Sequence, residues 1–186
     1  MKQIASINEI REAVAGLRAD GKTIAFVPTM GALHEGHLSL IRLAKENADE
    51  VVVSIYVNPE QFGPNEDFES YPRQMEEDLK ACEKEGVAAV FTPNDEIMYG
   101  SDKKYLSIKI DTLNEHMDGV SRPGFFEGIV LVVNKLFNII KPDFAVFGQK
   151  DIQQFQILSQ MVEEFNHNIK LIAGPIARAN DGFGSS

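Results

Sequence analysis

The sequence predicts a doubly wound α/β domain built on a parallel sheet, and three observations predict it. Short apolar runs alternate with stretches of helical periodicity along the whole chain. One run, Val51-Val52-Val53-Ser54-Ile55-Tyr56-Val57, is almost continuously apolar and β-branched, as in a strand covered on two sides. Two strand-to-helix corners, after Val27 and after Phe147, carry glycine beside polar side chains. Together these describe one doubly wound domain of Rossmann type spanning residues 1–186.

Each element follows from its residues. Ser6-Ile7-Asn8-Glu9 is a capping-box pattern, and Ile7, Ile10, Val14 and Leu17 mark one face of a first helix. Asp20-Gly21 ends it before a strand from Thr23 to Val27. A helical pattern from Leu38 to Ala44 leads to the Val51–Val57 strand. Pro72 is expected to open the next helix, which runs to about Glu85 and precedes a short strand, Ala88 to Phe91. Tyr105 to Ile110 alternates and reads as an exposed or edge strand. Gly128 to Ile140 is a strongly apolar helix stopped by Lys141-Pro142. The strand Phe144–Phe147, a helix faced by Ile152, Phe155, Leu158, Val162 and Phe165, and a strand from Ile169 to Ala173 complete the alternation.

Bulk properties narrow the partners. A net charge of −10 over 186 residues, with no basic stripe, argues against nucleic acid. An anionic substrate must then be held by a few local cations. No apolar run reaches a membrane span, and Met1-Lys2-Gln3-Ile4 does not lead into a signal-peptide core. The single cysteine, Cys82, excludes an internal disulfide, which suits a reducing cytoplasm. It shares a helical face with Met75 and Leu79, so it reads as a buried packing residue.

Pro28-Thr29-Met30-Gly31-Ala32-Leu33-His34-Glu35-Gly36-His37 is the most informative segment. It joins a strand to a helix through a glycine turn, where backbone N–H groups and the positive dipole end can meet an anion. Two imidazoles can donate to phosphate oxygens, and Gly36 would let a phosphate approach the backbone. A lone histidine usually serves packing or solvated surface, but a pair separated by Glu-Gly points to phosphate. Zinc is the weaker alternative: the helical metalloprotease pattern needs His-Glu-x-x-His, and Cys82 alone completes no Cys/His cluster. No protein-held metal is expected.

Two more loops fall at strand ends, where open parallel sheets bind ligands. Asn58-Pro59-Glu60-Gln61-Phe62-Gly63-Pro64-Asn65-Glu66-Asp67-Phe68 follows Val57, although its Asn, Pro and Gly would equally suit a plain connector. Phe147-Gly148-Gln149-Lys150-Asp151-Ile152-Gln153-Gln154 is the second corner, in which Asp151 could simply cap a helix. Lys150 offers an ammonium able to neutralise charge on a transferring phosphorus centre.

The short His-x-Gly-His signature resembles that of nucleotidyltransferases and class I aminoacyl-tRNA synthetases. The ten-residue form resembles the pantothenate synthetase (pantoate–β-alanine ligase) family, and three further blocks occur in that family's order. These are Asn58 to Phe68, Phe147 to Gln154, and Arg178-Ala179-Asn180-Asp181-Gly182-Phe183-Gly184-Ser185-Ser186, the beginning of a phosphate-binding stretch. The resemblance implies a Rossmann-like nucleotidyltransferase fold. It implies ATP contacts at Met30, Gly31, His34, His37, Gly148, Lys150, Asp151, Ala177 and Ser186. Gln61, Gln154, Asn58 and Tyr71 would form the pantoate and β-alanine pocket. One position departs: in Ser121-Arg122-Pro123-Gly124-Phe125-Phe126-Glu127-Gly128, Phe125 stands where the family usually has His. His116 and His167 match no motif and are expected at the surface.

By that resemblance the activity is ATP-dependent condensation of (R)-pantoate with β-alanine through a pantoyl-adenylate, releasing AMP and pyrophosphate. His37, His34 and Lys150 would be catalytic, with His37 the proton donor and Mg²⁺ travelling with ATP. Homodimers are usual in the family. A smaller C-terminal lid domain is also usual and is absent from these 186 residues, so impaired turnover is expected. Two rivals remain: a nucleotidyltransferase acting on a phosphorylated acceptor, and a nucleotide-binding or dimerisation module without catalysis.

Overall fold

The computed structural model describes residues 1–63, 66, 68–100 and 106–176. Tyr105, Ala177, Ser186 and the tail between the last two lie outside the described residues. In chain order the elements are β1 (Lys2–Ile4), α1 (Ile7–Ala19), β2 (Ile24–Thr29), α2 (Glu35–Asn47), β3 (Glu50–Ile55) and a 3-10 turn (Pro59–Gln61). There follow α3 (Met75–Lys84), β4 (Ala89–Phe91), α4 (Asp95–Tyr99), α5 (Asp118–Ser121), α6 (Phe125–Ile140), β5 (Phe144–Gly148), α7 (Ile152–Glu164) and β6 (Lys170–Gly174). None of the helices among the described residues is long and apolar enough to cross a membrane.

The six strands form one sheet in the order β1-β4-β3-β2-β5-β6, and every described pairing is parallel. The chain moves outward from β2 through β3 and β4, then crosses back to place β5 on the other side of β2. The β2/β5 boundary is therefore the topological switch point, where ligands of such sheets bind. Side-chain alternation splits the core into two layers. Ile24, Phe26, Val52, Ala145 and Phe147 pack with α1, α6 and α7, whereas Ala25, Val27, Val53 and Val146 pack with α2 and α3. Phe137 of α6 is 1% exposed and meets Phe26 and Phe147 edge-on, with centroids 6.4 and 6.3 Å away. Truncating it to alanine would cost about 3–5 kcal/mol.

The ladder at the switch point is short. β2 and β3 pair from Ile24 to Thr29, but β2 and β5 share only Ala25↔Phe144 and Phe26↔Ala145. Ile24 accepts from the Asp143 amide, so the even positions of β2 face β5. Pro28 lies on that side and has no N–H to give. The sheet opens there.

Several boundaries differ from expectation. The third long helix begins at Met75, with Gln74 in the cap position, and Pro72 lies in the preceding loop. Residues 106–110 form no strand: Leu106 is 88% exposed, while Ile108 and Ile110 rest against the α6 and α7 side of the core. The alternation there reflects one-sided packing without a backbone partner strand. Helix α6 starts at Phe125 because Gly124, at φ +86°, turns the chain into it, and it stops where Lys141 is left-handed ahead of Pro142. Strand β1 and the short helices α4 and α5 were not anticipated. His116 is exposed as expected, but His167 is half-buried, bonded to Asn134 Oδ1 at 2.8 Å and packed edge-on against Phe137.

Candidate nucleotide site

The signature corner runs from the end of β2 into α2, with His34 as the cap residue of that helix. Its Nδ1 accepts the Gly36 amide at 3.1 Å, and the Nδ1 of His37 accepts the His34 amide at 3.4 Å. A histidine pair thus does the work of a capping box. With both Nδ1 atoms accepting, the proton of each neutral ring sits on Nε2, as assigned from these bonds. The rings lie 4.1 Å apart between centroids.

This arrangement commits four backbone amides of the corner to side chains of the protein. The amides of His34 and Gly36 go to imidazoles, and those of Ala32 and Leu33 go to the Asp78 carboxylate at 2.9 and 2.7 Å. Each imidazole keeps an Nε2–H that the corner can offer an anion. Burial lowers the pKa of His34, with a further push from the Lys150 charge. Burial also pushes His37 down to about 4, assisted by His34 and opposed by Asp78. At neutral pH both rings are uncharged, so each Nε2–H stands as a hydrogen-bond donor.

Lys150 of the second corner lines a cavity with Met30 of the first, so the two strand-to-helix corners meet across the β2/β5 opening. The Lys150 ammonium lies 3.2 Å from Asp151 Oδ1, and its side chain is 42% exposed. Asp151 occupies the cap position of α7 with no side-chain cap bond, so its carboxylate faces the lysine rather than the helix.

Two cavities meet at this seam. One of about 400 Å³ is lined by Lys150, Arg122, Phe125 and Phe62, among others. A second of about 200 Å³ is lined by His37, Thr29, Asn58 and Tyr56. Met30, Gln61, Tyr71, Asp151 and Gln154 line both. The candidate pocket residues therefore share one crevice with His37 and Lys150. Gly31 lies behind it, next to Asp78, and Gly148 closes β5 opposite Gly174.

The members of the pocket differ in what they have left to offer. Asn58 is 1% exposed and fully engaged within the protein. Its Nδ2 donates to Gln61 Oε1 and Gly128 O, both at 3.2 Å, and its Oδ1 accepts from Tyr99 Oη at 2.6 Å and the Glu60 amide at 3.3 Å. Its amide thereby fixes the Gln61 side chain at the wall of the smaller cavity. Gln61 Nε2 faces only the Met30 sulfur, 2.9 Å away and a weak acceptor. Tyr71 has its pKa raised by burial and by the Asp78 charge, so it stays a neutral phenol.

Three contributors were not assigned from the sequence. Asp78 lies 1% exposed beneath the signature loop. Arg122 pairs with Glu66 at 2.5 Å and reaches Gln61 O at 3.5 Å. Gln153 donates to Leu113 O and His116 O at 3.0 and 2.8 Å and accepts the Asp118 amide at 3.2 Å, holding the 113–118 segment over the larger cavity. The available signal for Asp78 was its place four residues before Cys82, on the face that packs inward. Cys82 itself is fully buried, and its thiol is pushed up to about 12 by burial and Asp78, which suits packing and not nucleophilic chemistry. Among the described residues, no group of three or more His, Cys, Asp or Glu could hold a metal ion.

Fold and site define the class: a parallel α/β domain with a His-x-Gly-His corner at its switch point. Residues 2–186 match the family model described as Pantoate-beta-alanine ligase, and the chain belongs to that family. It is 51% identical over 180 residues to a pantothenate synthetase of Thermoanaerobacter, covering 97% of this chain and 63% of the relative. It is 52% identical over 186 residues to that of Thermotoga petrophila, covering 100% and 66%. Among solved structures, pantothenate synthetase from Thermus thermophilus superposes with a TM-score of 0.94 at 36% identity, covering 100% of this chain and 66% of that one. The Francisella tularensis pantoate-beta-alanine ligase, complexed with beta-gamma ATP and beta-alanine, gives 0.94 at 39% identity, covering 100% and 71%. The chain spans a little under two thirds of the length of these curated relatives.

Proposed function

We propose that this chain carries the nucleotide- and pantoate-binding site of an ATP-dependent pantoate–β-alanine ligase. The observation behind the reading is the single crevice at the β2/β5 opening, with His37 and Lys150 on its walls and Gln61 and Gln154 between them. A pantoate carboxylate oxygen attacks the α-phosphorus of ATP, the bond to the β-phosphate breaks, and pyrophosphate leaves. The β-alanine amine then attacks the acyl carbon of the pantoyl-adenylate. AMP departs with the bridging oxygen, and the amine gives its proton to solvent.

The residues act by holding and by charge. The Nε2–H groups of His34 and His37 donate to phosphate oxygens, and Lys150 offsets charge growing at the α-phosphoryl group. Losing one such donor costs about 2.7–4 kcal/mol of barrier lowering by analogy with oxyanion sites. Gln61 and Gln154, each both donor and acceptor, suit a hydroxy acid. Mg²⁺ would accompany the triphosphate, taking most of its ligands from phosphate and water. Asp151, a single carboxylate on the wall common to both cavities, fits such a metal. The same reading makes the protein a cytoplasmic homodimer.

The deciding assay mixes the chain with ATP, D-pantoate and β-alanine and measures AMP and pyrophosphate, omitting each substrate in turn. Pyrophosphate release that needs pantoate but not β-alanine supports the adenylate route. Nucleotide transfer to a phosphorylated acceptor would replace it. The exposure of Lys150 favours a second reading, nucleotide binding without ligation, because a wetted ammonium stabilises charge poorly. ATP binding by calorimetry without pantothenate would establish that reading instead.

A further inference from the structure

Among the described residues, Asp78 is the only charged side chain that is buried, and no step of the proposed reaction uses it. A carboxylate this deep is costly unless its oxygens are filled by donors. Here Oδ2 receives the Ala32 amide at 2.9 Å and Oδ1 receives the Leu33 amide at 2.7 Å, both short charge-assisted bonds. The turn they hold is strained: Gly31 has φ +86° and Ala32 follows at φ +51°. Alanine rarely adopts that conformation unless its surroundings impose it. A Cβ on Gly31 would lie 2.9 Å from Asp78 Oδ2 and 3.1 Å from an Ile55 methyl. Glycine is required at position 31 by the approach of this carboxylate as well as by its backbone angle.

We infer that Asp78 is a positioning residue. By gripping two consecutive amides, it fixes the left-handed turn between β2 and α2, and so sets where the His34 and His37 imidazoles stand at the start of α2. The turn-holding half of this inference stands by itself, and the consequence for ATP rests on the nucleotide reading above. The charge of Asp78 also acts on His37 from below, opposing the effects of burial and of His34 on that ring. Tyr71 and Cys82 feel the same charge.

The test uses Asp78→Asn and Asp78→Ala in the 186-residue chain, with folding followed by circular dichroism. Three quantities are read: amide exchange at Ala32 and Leu33, the NMR titration of His37, and the calorimetric Kd for ATP. An asparagine oxygen can keep one amide bond, but its NH₂ must face the other N–H. Asp78→Asn is therefore expected to speed exchange at one of the two amides and lower the His37 midpoint, leaving exposed His116 unmoved. ATP binding should weaken by about tenfold or more. Gly31→Ala should weaken binding similarly in the wild-type background and less in Asp78→Ala, where its clash is relieved. Wild-type exchange, wild-type His37 titration and wild-type ATP affinity in Asp78→Asn would overturn the inference. Should the parent chain bind no ATP, the nucleotide reading fails, and the exchange and titration data still decide the role of Asp78. If Asp78→Ala does not fold, Asp78→Asn alone decides it.

Discussion

The guanidinium carbon of Arg122 lies 3.4 Å from the centroid of the Phe125 ring, and the same guanidinium bonds Glu66 at 2.5 and 2.7 Å. Arg122 holds the Glu66 carboxyl below its usual pKa, so the pair stays charged. The Phe125 ring provides a flat face for this cation. A double-mutant cycle between Phe125→Ala and Arg122→Ala should recover a coupling of about 0.5–1 kcal/mol, beyond the core packing that Phe125→Ala alone removes. Urea unfolding of the four proteins measures it; additive effects would show that the stacking contributes nothing.

Gly128 is irreplaceable for a different reason. A Cβ there would stand 2.1 Å from Glu60 O and 2.4 Å from its carbonyl carbon, both main-chain atoms that no rotamer change can move. Gly128→Ala must push α6 away from the Pro59–Gln61 turn and stretch the Asn58 bond to Gly128 O. A stability loss of about 1–3 kcal/mol is expected, with weaker pantoate binding because Gln61 moves with the turn. Denaturant melts and pantoate calorimetry check the two effects.

Acid should weaken the signature corner before it affects most carboxylates. The folded-state pKa of His37 is about 4, below its ordinary 6.5, so between these values the unfolded chain binds more protons than the folded one. Stability therefore rises with pH across this window: the contribution is complete above about pH 6.5 and disappears as pH falls to about 4. It is of order 3 kcal/mol, and protonating Nδ1 would also remove the acceptor for the His34 amide. Unfolding free energies measured from pH 7 to 4 should decline, and His37→Gln should decline less. Identical slopes for the two proteins would show that His37 is not held neutral by the fold.

Lys150→Ala should separate stability from function. Its only described ion pair, with Asp151, is at 3.2 Å with both side chains largely exposed, so its loss should change stability by less than about 1 kcal/mol. AMP release should nevertheless fall by about 10²–10³-fold if the ammonium stabilises the α-phosphoryl transition state. Quenched-flow measurement of pyrophosphate, alongside a thermal melt, tests both halves. A large loss of stability with little loss of rate would reverse the assignment.

The sheet and the two corners were legible in the sequence because strand runs such as Val51 to Ile55, and the paired imidazoles, are local signals. Asp78 was not, since periodicity counts an acidic residue on an inward face as an exception. Only the folded loop shows the two amides that make its burial tolerable. The same limit explains Leu106 to Ile110, whose alternation recorded packing against α7 and not pairing with a strand. It also explains Asn58, which looks from sequence like a loop ligand. Its four partners come from residues as distant as Tyr99 and Gly128.

Pro28 gives the β2/β5 opening a permanent character. An imino acid facing β5 means that parting the two strands sacrifices no hydrogen bond from that position, so the aperture exists before any nucleotide arrives. Ligand entry then has no sheet to pry apart.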